Sequence, residues 1–352
     1  MQKWEQIQGV YIHTPFCLQK CLYCDFASYA GADTETMEKY VDAICSEIMM
    51  RSNEVTIADQ ATLYFGGGTP SLLSEKLLAK LVEALQKNGC WLQPAEATIE
   101  VNPGTADLDK LRFFKDLGFD RISFGVQSLN DAELRAVGRI HTANEALDAI
   151  TMAEKAGFTR VSADLIYGLP EQSLQTLKTS LQNLTAAGLQ HLSVYGLTIE
   201  KNTPLAGMLD KGKVELPDED CQLAMYELVQ EYLEAQGLHR YEISNYAVSG
   251  QESRHNLVYW HYLPYLSFGS SACSFNGSQR FTATDSVTDY IESIQSGKSC
   301  GGFEDLTKEM QLSEYLFMGL RTTVGIDLIE TEQRFGCDVM SVSYTHLRAH
   351  ET

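Results

Sequence analysis

The feature that most limits how this chain can fold is a repeated alternation of short β-type runs with amphipathic helical stretches. The runs fall at 9–13, 61–65, 97–101, 121–126, 161–166 and 191–197. Between them, 34–50 puts Met37, Val41, Ile44 and Ile48 on one helical face, and 74–87 does the same with Leu77, Leu78, Leu81 and Leu85. Ser74 and Asp131 stand where N-caps belong, while Gly89, Gly118, Gly157 and Gly188 each stand where a helix would stop on a left-handed glycine. Successive strand-then-helix units predict a parallel sheet with right-handed crossovers, either doubly wound or curled towards a barrel.

The residues that end each run decide between the two. Cysteines follow the first run and Gly66-Gly67-Gly68-Thr69-Pro70 the second, while Glu100 and Asn102-Pro103-Gly104 end the third. Gln127 and Ser128 end the fourth, Asp164 with Tyr167-Gly168-Leu169-Pro170 the fifth, and Tyr195-Gly196-Leu197-Thr198 the sixth. A barrel gathers its site from the C-terminal ends of all its strands, whereas an open sheet concentrates its ligand at one switch point. The expectation is therefore an α/β protein built on a partial (β/α)6 barrel over residues 1–210.

Beyond Lys201 the alternation stops. Residues 211–299, with a helix over 218–236, a strand-like 241–246 and an aromatic stretch 259–268, read as an extension that covers the open side of the barrel. Gly301-Gly302 reads as a break before a helix over 306–321, so 300–340 reads as the start of a small, mainly helical C-terminal domain that is truncated. Residues 341–352 lack a periodic apolar pattern and read as a non-native tail, whose His346 and His350 are set aside as ligands.

A formal charge of −20 with no basic run argues against a nucleic-acid partner. No segment approaches the ~20 continuous apolar residues of a membrane span, and Met1 to Gln8 is polar, unlike a secretion signal. The expected location is the cytoplasm. Nine cysteines, an odd count in such a chain, argue for reduced thiols over a disulfide framework. Cys45, Cys90, Cys221, Cys273, Cys300 and Cys337 are scattered and read as small apolar packing residues.

The remaining three form Cys17-Leu-Gln-Lys-Cys21-Leu-Tyr-Cys24, close enough to wrap one inorganic centre. Structural zinc wants a closed set of four ligands, commonly in two pairs, and only His13 stands near enough in sequence to make a fourth. A cubane needs one ligand per iron, so three thiolates leave one iron open. Taken alone, Gly66-Gly67-Gly68 could be a phosphate loop or a tight turn, but it lacks the Gly-Lys-Ser/Thr continuation. Glu100 and Asp164 could likewise be caps or ion-pair partners, and Arg139 a surface charge.

The Cys-x3-Cys-x2-Cys spacing is that of the radical S-adenosylmethionine enzymes. The chain resembles, among them, the oxygen-independent coproporphyrinogen III oxidase family. The likeness rests on Tyr11-Ile-His-Thr-Pro-Phe-Cys17, Gly66-Gly67-Gly68-Thr69-Pro70, Ile99-Glu100-Val101-Asn102-Pro103, Ser123-Phe-Gly-Val-Gln127-Ser and Asp164-Leu-Ile-Tyr-Gly-Leu-Pro170. It runs in order from Gly9 to Gly336. The resemblance implies a radical S-adenosylmethionine barrel in which Cys17, Cys21 and Cys24 hold a [4Fe–4S] cluster, with S-adenosylmethionine chelating the open iron. Reduction would then cleave the sulfonium to methionine and a 5′-deoxyadenosyl radical. Carried over by position, Tyr11, Gly67, Gly68, Thr69, Glu100, Gln127, Arg139 and Asp164 contact the cofactor. The residue types suit such contacts, since glycines admit close backbone approach, carboxylates accept from an ammonium or ribose hydroxyls, and Arg139 offers a planar fork to a carboxylate.

Two cues separate the branches of that family. The oxidases resemble Cys-x3-Cys-x2-Cys-x-Cys, and position 26 here is Phe26. His255-Asn-Leu-Val-Tyr259-Trp260 matches a motif of the branch regarded as haem chaperones, which bind haem and pass it to apo-acceptors. The resemblance thus implies a haem chaperone whose cofactors are the cluster, S-adenosylmethionine and haem. Its partners would be haem, haem-accepting apoproteins and an electron donor for the cluster. The alternative is the oxidase that decarboxylates coproporphyrinogen III to protoporphyrinogen IX. Chemically, His255 can offer a neutral imidazole to haem iron, and Tyr259 and Trp260 can lie against a porphyrin, although such a histidine can equally be a packed structural group. The family usually carries a glycine near Ser267 and a histidine where Cys273 stands, and a thiolate there could also ligate haem. No Cys-x-x-Cys-His occurs, so no c-type linkage is implied.

Overall fold

The computed structural model describes residues 4–91 and 93–336, so the tail at 341–352, with His346 and His350, lies outside the described residues. Six strands, β1 (Trp4–Thr14), β2 (Val55–Gly67), β3 (Ala97–Val101), β4 (Arg121–Gln127), β5 (Arg160–Tyr167) and β6 (His191–Gly196), lie side by side and parallel in that order. They are joined by α1 (Thr34–Arg51), α2 (Glu75–Lys87), α3 (Leu108–Asp116), α4 (Asp131–Ala136), α5 (Ala143–Lys155) and α6 (Leu174–Ala186). All six expected runs are strands.

Helix ends follow local chemistry. Ser74 accepts from Leu77 N as the α2 cap, and Thr142 with Glu145 forms a reciprocal capping box on α5. Gly89, Gly118, Gly157 and Gly188 all adopt positive φ just past helix ends. The α4 cap is Asn130 rather than Asp131: the Asn130 side chain accepts from Ala132 N and Glu133 N, which leaves Asp131 inside the first turn.

The parallel strands have two unlike faces. Val10, Ile12, Leu63, Phe65, Ile99, Ile122, Phe124, Ala163, Leu165 and Leu192 are buried in one apolar core with the helices. The alternate positions, which point to the other face, carry Tyr11, His13, Thr62, Tyr64, Glu100, Arg121, Ser123, Ser162, Asp164 and His191. Hydrogen bonds between neighbouring strands, such as Tyr64 to Glu100 and Ser162 to His191, confirm that these share one side. A sheet with a wholly apolar second face would be an ordinary doubly wound core; this inner face is polar and stays partly open.

Apart from a two-stranded parallel pair, Phe16–Cys17 with Tyr29–Ala30, that flanks the cysteine loop, the remaining strands are β7 (His239–Arg240), β8 (Asn245–Ala247), β9 (Tyr265–Phe268), β10 (Cys273–Phe275), β11 (Gln279–Ala283) and β12 (Gly301–Asp305). They extend the sheet at both edges, giving the order β12-β11-β10-β9-β1-β2-β3-β4-β5-β6-β8-β7. Among the described residues β12 and β7 do not pair, so the barrel is partial.

Three details differ from the expectation. The end of the aromatic stretch forms β9, which pairs parallel to β1 and lengthens the sheet instead of covering it. Its pairing is locked by Glu47, 1% exposed, which accepts from Arg51 Nη1 at 2.9 Å, Tyr290 Oη at 2.6 Å and Gly269 N at 3.1 Å. Beyond the short α7 (Pro204–Leu209), helix α8 (Glu219–Ala235) lies against α6 on the outside, where the Thr185 and Tyr232 hydroxyls meet at 3.0 Å. The inner side is covered by the shorter α9 (Arg254–Trp260). Finally, Gly301 and Gly302 open the edge strand β12, because a side chain at Gly301 would collide with the backbone of Thr282 and Ala283. With α10 (Val287–Gln295) preceding β12, the helix expected beyond the glycines is α11 (Lys308–Gly319). No helix among the described residues is long and apolar enough to cross a membrane.

Candidate functional site

The cysteines lie on the connection from β1 to α1, at the C-terminal rim of the parallel strands. Tyr29 N donates to Pro15 O at 2.7 Å and Gly68 N to Thr14 O at 2.7 Å, so the loop leaves and returns beside the end of β2. Its tip is tied across the rim: Leu22 N donates to Val137 O at 3.0 Å, and Gln19 Nε2 to Gly138 O at 2.9 Å. Cys17, Cys21 and Cys24 are unbridged, part-exposed and line one cleft. The cleft measures about 720 Å³ including its mouth, within the ~300–1,000 Å³ usual for small-molecule sites. Gly67, Gly68, Thr69, Glu100, Gln127, Arg139 and Asp164 line it too, so every expected cofactor contact except Tyr11 shares this surface with the thiols.

Tyr11 lies below. Its hydroxyl meets His13 Nδ1 at 3.1 Å, and His13 Nε2 donates to Ala27 O at 3.0 Å in the cysteine loop, which fixes the tautomer. Tyr11 thus backs the site from beneath, through His13 to the cysteine loop and through the stacked Tyr64 ring to Glu100.

Hydrogen-bond donors face two of the sulfurs. Thr69 Oγ1 stands 3.6 Å from Cys17 Sγ and Arg139 Nη1 3.4 Å from Cys21 Sγ, while Cys24 Sγ and Ser28 Oγ are 3.9 Å apart. Burial pushes the Cys17 thiol up, and the Thr69 hydroxyl opposes that by favouring the thiolate. Among the described residues no three His, Cys, Asp or Glu side chains converge tightly enough for a single metal ion. The cleft lining holds three cysteines and no histidine. Three thiols on one loop at the edge of a cleft are a donor set that fits an iron–sulfur centre.

The floor is formed by two carboxyls. Glu100 accepts from Tyr64 Oη at 2.7 Å and Gly67 N at 3.1 Å, and Ser123 Oγ donates to Asp164 at 3.4 Å. Burial is the main cause that pushes Glu100 up to about 7, with Asp164 adding repulsion; burial raises Asp164 as well. Gly67 takes φ +113°. Added Cβ atoms at Gly67 and Gly68 would come within 2.5 Å of His13 and 2.8 Å of Phe16 O, so these glycines are required by the packing of the cysteine loop itself. Sequence reasoning had assigned their lack of a side chain to the ligand. Asn102 and Ser123, which the sequence motifs contain without assigning them a role, line the cleft as well, and so does Lys20, which no motif marks. For Asn102 the signal was present, since it ends β3 beside Pro103. Phe26 stands at the mouth, 71% exposed.

The His255 motif is built differently. It forms α9, packed on the polar inner face with Ser253 as cap. His255 is 1% exposed, its ring stacked on Tyr64 at 5.0 Å between centroids. Its Nδ1 meets Thr62 Oγ1 at 2.7 Å and its Nε2 meets Tyr259 Oη at 2.8 Å, so in either tautomer one ring nitrogen donates and the other accepts. Burial lowers its basicity, to about 3. As packed, neither ring nitrogen has a free lone pair for haem iron. Trp260 is half-buried with Arg321 stacked over it at 5.4 Å, and its Nε1 has no partner among the described residues. Cys273, 3.7 Å from Thr282 Oγ1, sits in β10 and not in the cleft.

Residues 11–184 match the family described as the Radical SAM superfamily. The chain is 35% identical over 335 residues to "Heme chaperone HemW" of Bacillus subtilis (strain 168), covering 94% of this chain and 87% of that protein. It is 37% identical over 326 residues to the protein of the same name from Synechocystis sp., covering 90% and 79%. Among solved structures it resembles the coproporphyrinogen III oxidase HemN of Escherichia coli, a radical SAM enzyme, with a TM-score of 0.84 over 99% of this chain and 82% of that one. At 22% identity, that likeness is one of fold.

Proposed function

Because this chain belongs to the radical SAM superfamily and within it to the HemW-type proteins, we propose that it is a haem chaperone that binds haem and hands it to acceptor apoproteins. The cleft would carry a [4Fe–4S] cluster on Cys17, Cys21 and Cys24, with S-adenosylmethionine at the open iron. That pair, when bound, supplies reductive cleavage of the sulfonium C–S bond, which calls for an external electron donor. The chain's own groups do the rest. Glu100 and Asp164 accept from ammonium or hydroxyl groups at the cleft floor, Gln127 and the Gly67–Gly68 backbone flank them, and Arg139 and Thr69 back the sulfurs. We place the protein in the cytoplasm.

The observation that carries the chaperone reading is Phe26. At the position where the oxidases bear a further cysteine, this chain puts an apolar ring on the cleft mouth, 71% exposed and with no ligating atom. A side chain with no ligating atom cannot replace the cysteine the oxidases carry there, which favours the chaperone branch over the oxidase. The test pairs two assays on cluster-replete protein kept anaerobic. Haem titration should develop a saturable Soret band, and incubation of coproporphyrinogen III with reductant and S-adenosylmethionine should yield no vinyl product. Turnover without haem affinity would reverse the assignment in favour of the oxidase.

A further inference from the structure

We propose that Asn102 is a positioning residue that aims two donors, Thr69 Oγ1 and Arg139 Nη1, at the sulfurs of Cys17 and Cys21, and thereby raises the reduction potential of the cluster those sulfurs hold. The inference rests on the cluster reading above and adds to it a residue outside the ligand set.

Four bonds form one chain between the two sulfurs. Arg139 Nη1 donates to Cys21 Sγ at 3.4 Å and Arg139 Nη2 to Asn102 Oδ1 at 2.8 Å. Asn102 Nδ2 then donates to Thr69 Oγ1 at 2.7 Å, and Thr69 Oγ1 to Cys17 Sγ at 3.6 Å. The direction of every bond follows from chemistry. A guanidinium can only donate, so the amide atom facing Arg139 is the oxygen and the NH2 faces Thr69. Thr69 accepts that N–H, which leaves its own proton free for Cys17. Asn102 therefore sets the polarity of both ends.

The surroundings are shaped for this amide. A Cβ on Gly125 would fall 2.7 Å from Asn102 Oδ1 and 3.4 Å from Arg139 Nη2, so β4 carries a glycine where any side chain would displace the network. Arg139 Nη2 also bonds the Gly125 carbonyl. The Asn102 backbone is held as well: its carbonyl accepts from Thr105 N at 3.1 Å and Thr105 Oγ1 at 2.6 Å, and Thr105 Oγ1 meets Ser71 Oγ at 2.6 Å. Thr69 itself is 1% exposed, so water does not compete for its proton. Hydrogen bonds into cluster sulfurs stabilise the more negative, reduced state, and partners behind the ligands are what keep such donors oriented.

The test is an anaerobic redox titration of the reconstituted protein, followed by the electron paramagnetic resonance signal of the reduced cluster, with iron content and circular dichroism as controls. N102A should shift the midpoint potential downwards at unchanged iron content, and T69V should shift it in the same direction by less. Added to N102A, T69V should do little more, because its donor has already lost its aim; independent donors would give additive shifts. G125A, which introduces only a methyl group, should lower the potential as N102A does. A wild-type potential in fully loaded N102A, or a full additional T69V shift on top of it, overturns the proposal. Should N102A fail to fold or load, G125A decides: an unchanged potential there overturns it equally. A wild-type protein that never develops the reduced-cluster signal would overturn the cluster reading itself, which absence of signal in every sample distinguishes.

Discussion

The cysteine cleft and the α9 wall occupy the same polar face of the same sheet, yet they are built to opposite rules. In the cleft, polar groups are gathered with capacity to spare: two buried carboxyls with raised pKa values, three part-exposed thiols, and Arg139 Nε buried with no partner among the described residues. On the wall, His255 spends both ring nitrogens on Thr62 and Tyr259 and stacks on Tyr64. A histidine with both ring nitrogens satisfied serves to hold a fold together, whereas the cleft gathers its unspent groups on one surface and the wall leaves a single Trp260 Nε1 without a partner among the described residues. Two motifs of similar strength in the sequence therefore differ in kind once folded.

Substitutions sharpen that contrast, beginning with the largest effect. Replacing Cys17, Cys21 and Cys24 together by serine should abolish iron–sulfur loading, seen as loss of visible colour and of bound iron, while thermal stability of the apo-protein changes little. His255→Ala should do the reverse. It removes a buried ring and strands Thr62 and Tyr259, a loss of about 2–4 kcal/mol in denaturant unfolding, with iron content and the Soret titration near wild type. A Soret band that collapses in a still-folded H255A protein would break the comparison and return His255 to the haem.

The two regions also respond to pH with opposite sign. Glu100 is raised to about 7 from an ordinary 4.5, so the folded protein holds a proton that the unfolded chain releases, and stability falls as pH rises between those values. His255 is lowered to about 3 from 6.5, so the unfolded chain binds the extra proton and stability falls as pH drops from 6.5 towards 3. Melting temperatures of apo-protein across that range should show E100Q losing the first slope and H255Q the second. Smallest of all, Phe26→Ser should move stability by no more than about 0.5 kcal/mol, as expected for an exposed side chain. A larger loss would mean that the ring is packed and not presented.

Much of this was legible in the sequence where local chemistry decides. Glycine, proline and polar residues at strand ends located the rim, and leucine spacing located α2, because each depends on a few neighbouring positions. What could not be read depends on distant pairings. That 265–268 would pair beside β1, and that Glu47 would lock it there, follows from contacts more than two hundred residues apart. The Gly67–Gly68 pair was legible as a constraint but not as to its cause, since a missing Cβ looks the same whether it admits a ligand or His13. The His255 motif matched residue by residue, yet its burial is set by Thr62 and Tyr64 on another strand. Asn102 was visible at a strand end, but its part between Thr69 and Arg139 emerges only when three loops meet.

If the protein carries haem in order to give it away, transfer is the step to follow. Haem-loaded, cluster-replete protein is mixed anaerobically with a haem-free acceptor and the two are separated. The Soret absorption should move to the acceptor at a rate faster than haem alone supplies it. Haem that stays on this chain, or that reaches the acceptor no faster than free haem does, would contradict the chaperone function.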